Sequence, residues 1–367
     1  MKNKFIVFMI AAVILVGILA GCSSNNKVSE DAVKTDATSR APAENEETSE
    51  VSDTVVITDS DGNKVEVKKN PTRVAVFDYS ILDILYNAGF ENTGIEKLIV
   101  PNKENLPEEL AFYKNASNDL VISGGTLFYI DWDVLDLIQP ELVIIGGRAF
   151  GMGPSGERLS SEEVEKYKEE TFSRYSDTAF VKLTTNSSDS QLTLDIENNI
   201  TALSQIFPEV KDVLELKWAK LKADIQDVNE KAKSTGKRAL FAMMVDQTTL
   251  SVFNPNSRFD MLYEDFGFIP ADEGAVAWTN QHGFDVRAEY VLEKNPDVIF
   301  LLDRSATVGS GAGAENFMKD PIIKQTTAAQ NGDIYVLTGN AWYTLTGGVT
   351  ATETMISDLN QFLSKYQ

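Results

Sequence analysis

The stretch "VLDLIQPELVIIGGR", residues 134–148, reads as the end of a helix, a Pro-Glu break, an uninterrupted apolar run and then an arginine. An apolar run without polar alternation is buried on both faces, as strands inside a parallel sheet are. The same pattern returns in "YVLEKNPDVIFLLDR", residues 290–304, where Pro296 aligns with Pro140 and Arg304 with Arg148. A second pair, "DILYNAGF" at 83–90 and "DMLYEDFGF" at 260–268, occurs in the same order. Two matches in one order predict a chain folded twice on one plan. Alternating helices and buried strands make each half an α/β layer, giving two lobes with central, mostly parallel sheets.

Outward from these units, the body opens with "DTVVITDSDGNKVEVKKNPTRVAVFD", where an Asp-Gly turn between apolar runs predicts a β-hairpin. Arg73 to Phe77 follows as a buried strand, and Ile81 to Ala88 as a helix stopped by Gly89. Between the halves, residues 192–207 and 210–232 show helical spacing, the second with Val213, Leu216, Leu221 and Ile225 as its apolar stripe. The expected division is an N-terminal lobe at 54–207, an interlobe helix at 208–234 and a C-terminal lobe at 235–367. A rigid helix as the main connection limits hinge motion.

The first 53 residues stand apart. Lys2 and Lys4 precede an apolar run, Phe5 to Leu19, which is too short to span a bilayer and closes on small residues, so 1–21 reads as a signal peptide. Leu19-Ala20-Gly21-Cys22 has the form of a lipobox, with Cys22, the sole cysteine of the chain, as the lipidated residue. Residues 22–53 lack aromatics, Leu and Ile and read as a disordered tether. About 30 such residues would hold the body roughly 30 Å from the outer face of the cell membrane. The formal net charge of −22 argues against nucleic acid as a partner.

Ligands of open α/β sheets bind beyond the carboxyl ends of the strands. Arg148 and Arg304 both lie there, and Arg258 follows another strand, "RALFAMMV", and its turn. Converging guanidiniums suit an oxygen-rich, multiply anionic ligand, because each presents a fork of donors and keeps its charge. The loop "TGNAWYTLTGG", with Trp342 and Tyr343, and the single histidine, His282, complete the candidate set. Phenolate and imidazole both suit iron. Taken alone, His282 reads better as a turn hydrogen-bonding residue and Tyr343 as a packed one. One histidine argues against the multi-histidine sites of bare zinc or manganese receptors. An enzyme is disfavoured: "GSGAGAE" is a weak dinucleotide fingerprint, and "GMGPSGE" lacks the second glycine of a nucleophile elbow. No intrinsic cofactor is implied. Haem or cobalamin remains an alternative cargo, with His282 or Tyr343 as axial ligand.

The lipobox, "NPTRVAVFDYSILDILYNAG", "PELVIIGGR", "NPNSRFDMLY", "HGFDVRAEYVLEKNPDVIFLLDR" and "AWYTLTGG" together resemble the class III substrate-binding lipoproteins of ABC transporters for ferric siderophores, of the catecholate or petrobactin type. The resemblance implies Fe(III)-siderophore as ligand, held by Arg148, Arg258 and Arg304, with His282 and Tyr343 coordinating iron directly. It also implies a monomer that delivers its cargo to a permease and its ATPase. Docking would use lobe-top carboxylates, for which Glu108, Glu109, Asp272 and Glu273 are candidates. Two stretches depart from the pattern: "GGTLFYIDWDVLD", and the long segment that follows Arg148.

Overall fold

The computed structural model describes residues 52–185, 191–272 and 283–366. The signal segment, Cys22, nearly all of the tether, Glu273 and His282 lie outside the described residues. The hairpin pairs β1 (Thr54–Thr58) antiparallel with β2 (Lys64–Lys68). Five further strands, β3 (Arg73–Phe77), β4 (Lys97–Val100), β5 (Val121–Ser123), β6 (Leu142–Ile145) and β7 (Ala179–Lys182), form a wholly parallel sheet in the order β5-β4-β3-β6-β7. The second sheet runs β11-β9-β8-β12-β13, with β10 beside β8. Its strands are β8 (Arg238–Met244), β9 (Leu250–Phe253), β10 (Ile269–Pro270), β11 (Phe284–Val286), β12 (Val298–Asp303) and β13 (Ile334–Val336). It is mixed: β9 pairs antiparallel with β8 and with β11. The link from Met244 to Leu250 is too short for a parallel crossover, so the chain must return antiparallel.

The helices that position the site are α1 (Tyr79–Asn87), α2 (Trp132–Ile138), α3 (Ser161–Arg174), α4 (Leu192–Ile206), α5 (Lys211–Thr235), α6 (Ala288–Lys294), α7 (Gly339–Tyr343) and α8 (Val349–Leu363). The repeated unit is visible in the backbone. Helices α2 and α6 occupy aligned positions, and each ends on a left-handed residue, Gln139 at φ 52° and Asn295 at φ 41°. The next strands, β6 and β12, each pair parallel with the first long strand of their own sheet, Leu142 opposite Val74 and Val298 opposite Ala239. The other repeat diverges: 83–87 is α-helical in α1, whereas 260–262 is a 3-10 turn.

Helix α5 buries Leu214, Trp218, Leu221, Ile225, Val228 and Ala232, a continuous stripe at helical spacing. This corrects half of the expected stripe. Val213 and Leu216 fall off that face, and Leu216 is 74% exposed. Helix α8 packs along α5 and against α1, tying the C-terminal lobe to the N-terminal one. Among the described residues no helix is long and apolar enough to cross a membrane.

The start of α8 has no capping side chain of its own, because its N-cap is Gly348. Asp83 of α1 substitutes for it: its carboxylate accepts from the Ala351 amide at 3.2 Å, while Asn87 donates to the Thr350 hydroxyl at 2.8 Å. A Cβ on Gly348 would sit 2.2 Å from the Asp83 oxygen, so only glycine admits this approach. Burial pushes the fully buried Asp83 carboxyl up to about 6, against the opposing hydrogen bonds from Thr350 and Ala351. A folded-state value above the unfolded one means that the contribution to stability is full below about pH 4 and is lost as pH rises through about 6. Asp83→Asn is therefore expected to remove about 2–3 kcal/mol of that pH dependence. Urea unfolding of both proteins across this range measures it, and parallel stability curves would overturn it.

Candidate functional site

Arg148, Arg258 and Arg304 come from three separate strand ends and meet on one side chain, Tyr343. Arg148 follows β6 after Gly146-Gly147, Arg304 follows β12, and Arg258 follows the turn after β9. Their guanidinium carbons lie 5.4, 4.5 and 5.5 Å from the Tyr343 ring centroid, for Arg148, Arg258 and Arg304 respectively. Arg304 Nε donates to the phenol oxygen at 2.8 Å. Arg148 and Arg258 donate to the Tyr343 carbonyl at 2.6 and 2.8 Å. Arg304 is braced by a second bond, to the Val245 carbonyl at 2.9 Å. All four residues are half-buried. Among the described residues none of the three arginines forms an ion pair with a carboxylate.

The electrostatic consequences run in both directions. Burial lowers the Arg258 guanidinium to about 10, and repulsion from Arg148 and Arg304 adds to the fall. Burial raises the Tyr343 phenol, but the Arg304 hydrogen bond and the charges of Arg258, Arg304 and Arg148 outweigh it, so the phenol ends below its ordinary value. Three guanidiniums gathered on one phenol have the chemistry to hold a multiply anionic, oxygen-rich group.

Trp342 is a correction. Expected against the ligand, it is instead fully buried, its ring 5.7 Å from that of Phe241 and 6.1 Å from that of Phe266, with Nε1 donating to Asp358 at 2.9 Å. Successive residues of a helix diverge by about 100°, so α7 turns Trp342 into the core while Tyr343 faces the arginines. Asp272 is a second correction to the expected docking carboxylates. It is 5% exposed, accepts from Asn254 and from the Tyr290 hydroxyl, and pairs with Lys294 at 3.2 Å. Glu108 is exposed beside Lys114, and Glu109 accepts from Asn340 at 3.3 Å.

Sequence reading missed two supports of Arg148. Asp78 caps α1 by accepting from the Ser80 and Ile81 amides, and a Cβ on Gly146 would lie 2.2 Å from its carboxylate. The Asp at the end of β3 and the Gly-Gly after β6 were the available signal. Phe150 adopts φ 67°, a left-handed conformation costly for an aromatic residue. Its ring, buried edge-on against Tyr167 at 5.1 Å, fixes the backbone that follows Arg148.

The chain is 28% identical over 307 residues to the petrobactin-binding protein YclQ of Bacillus subtilis (strain 168), covering 83% of this chain and 86% of that one. The crystal structure of YclQ superposes with a TM-score of 0.71 over 85% of this chain and 99% of that one, at 26% identity. The catecholate-siderophore binding protein VctP of Vibrio cholerae gives 0.69 at 27% identity, over 84% and 99%. A model of the periplasmic binding protein family matches residues 74–341. With two α/β lobes and a family match over most of its length, the chain belongs to the periplasmic binding protein family.

Proposed function

We propose that this protein captures Fe(III)-catecholate siderophores at the Arg148, Arg258, Arg304 and Tyr343 cluster and delivers them to an ABC permease. The observation that carries the reading is the convergence of three arginines, unpaired with carboxylate among the described residues, on one phenol in a chain of net charge −22. A tris-catecholate of Fe(III) is trianionic and would balance them. At an effective dielectric near 20, each charge pair at about 4 Å is worth roughly 4 kcal/mol before desolvation. The names of YclQ and VctP, petrobactin-binding and catecholate-siderophore binding, support the same cargo. As a phenolate, Tyr343 would be a hard oxygen donor for iron, with His282 as its partner where the chelate leaves positions open. Lipidation of Cys22 would hold the body on the outer face of the membrane, and Glu108 and Glu109 would meet the permease.

Titration with a hexadentate ferric tris-catecholate, a petrobactin-like ferric chelate and haem, followed by tryptophan fluorescence, tests the cargo. Binding of haem alone overturns the proposal. A ferric bis-catecholate with open coordination positions is expected to gain a new phenolate-to-iron absorption band on binding. Tyr343→Phe should abolish that band, and His282→Ala should shift it. The hexadentate chelate, whose iron is saturated, should show no such band with any variant.

A further inference from the structure

The two stretches that depart from the family pattern meet over the C-terminal end of the first sheet. Residues Gly125 and Ile130 bridge antiparallel, and the Thr126 hydroxyl accepts from the amides of Phe128 and Tyr129 at 3.1 Å each, making a tight hairpin. The hairpin leaves β5, an edge strand, yet its Phe128 carbonyl accepts from Met152, in the segment after β6, at 3.2 Å. The hairpin and the segment after β6 therefore meet across the ends of the intervening strands β4 and β3. A Cβ on Gly151 would lie 3.6 Å from the Phe128 ring and 3.2 Å from the Arg148 carbonyl, so the ring packs against the backbone turn that carries Arg148.

Helix α3, the bulk of the long segment, fastens this arrangement through Tyr167. Its hydroxyl accepts from the Ile130 amide at 3.1 Å and donates to the Ile130 carbonyl at 2.6 Å. Its ring stacks on Tyr129 at 6.1 Å and meets Phe150 edge-on at 5.1 Å. One side chain thus holds both the hairpin and the strained backbone beyond Arg148.

We propose that the hairpin Thr126–Ile130 forms an apolar wall of the ligand site beside Arg148. In it, Phe128 is the ligand-facing residue that selects ferric chelates with aromatic rings over ring-free chelates of equal charge, and Tyr167 is a positioning residue. This rests on the siderophore reading above. The arginines answer chiefly to charge; a half-buried phenyl ring on the hairpin that adjoins the Arg148 loop adds a contact that only an aromatic chelate can use.

The test uses two trianions, a hexadentate ferric tris-catecholate and ferric tris-oxalate, titrated against the full chain by tryptophan fluorescence. The wild type is expected to prefer the catecholate. Phe128→Ala should weaken catecholate binding about tenfold and leave oxalate within about twofold. Tyr167→Phe keeps the ring against Phe150 but loses both bonds to Ile130, and should reduce the catecholate-to-oxalate ratio about fivefold. If Phe128→Ala weakens neither trianion, or both equally, while the arginine variants weaken both, the wall is refuted and the arginine site stands. If the wild type binds neither trianion, the siderophore reading itself falls, and the wall with it.

Discussion

Arg258→Ala is expected to weaken binding of a ferric tris-catecholate by about 30- to 300-fold, the loss typical of a charge-assisted contact in a partly desolvated site. Arg258 lies nearest the Tyr343 ring, at 4.5 Å; burial lowers its guanidinium to about 10, and repulsion from Arg148 and Arg304 adds to the fall. An anionic ligand relieves that repulsion; alanine removes the charge that attracts the ligand. The same substitution should leave the stability of the ligand-free protein unchanged or slightly raised, because the cluster is self-repulsive without its ligand. Arg258→Lys keeps the charge but loses the planar fork and should fall between the two. Fluorescence titration beside urea unfolding gives both quantities. Unchanged affinity would remove Arg258 from the site, and equal losses of affinity and stability would make it a structural residue.

Trp342→Ala should destabilise the protein by about 3–5 kcal/mol, as large-to-small changes of aromatic residues in cores do. The indole fills space between Phe241 and Phe266 and satisfies Asp358, a carboxylate also held by the amide and hydroxyl of Thr338. Alanine leaves a cavity and one hydrogen bond fewer on a buried acid. Trp342→Phe keeps most of the volume and should cost about 1–2 kcal/mol, chiefly the lost bond to Asp358. Denaturant midpoints decide the matter. If Trp342→Ala lowers ligand affinity with no change in midpoint, the residue is a ligand contact after all.

The contrast between Trp342 and Tyr343 shows where sequence reading reaches and where it stops. The repeated helix–Pro–strand–Arg unit carried the architecture, because an apolar run buried on both faces has few places to go, and the strand end placed Arg148 and Arg304. The loop of Tyr343 was legible as part of the site, but the direction of each side chain was not. Helix α7 is five residues long, with too little periodicity to tell its core side from its ligand side. The stripe of α5 failed for a related reason. Val213 and Leu216 are apolar, yet the buried face is set by what α8 presents, and only the fold supplies α8. Asp272 sits in the polar run "PADEG", which reads as a surface turn. It is buried because Tyr290 and Lys294, one helical turn apart on α6, close over it. Long-range partners of this kind leave no local trace.

The cap that Asp83 lends to α8 has a consequence for following the molecule at work. The Ala351 amide is bonded to Asp83 of α1, so its exchange with solvent deuterium follows the parting of α1 from the start of α8. That single amide is a built-in reporter of the contact between α1 and the start of α8. Its exchange rate, with and without a ferric tris-catecholate, would report whether ligand changes the hold of α1 on α8.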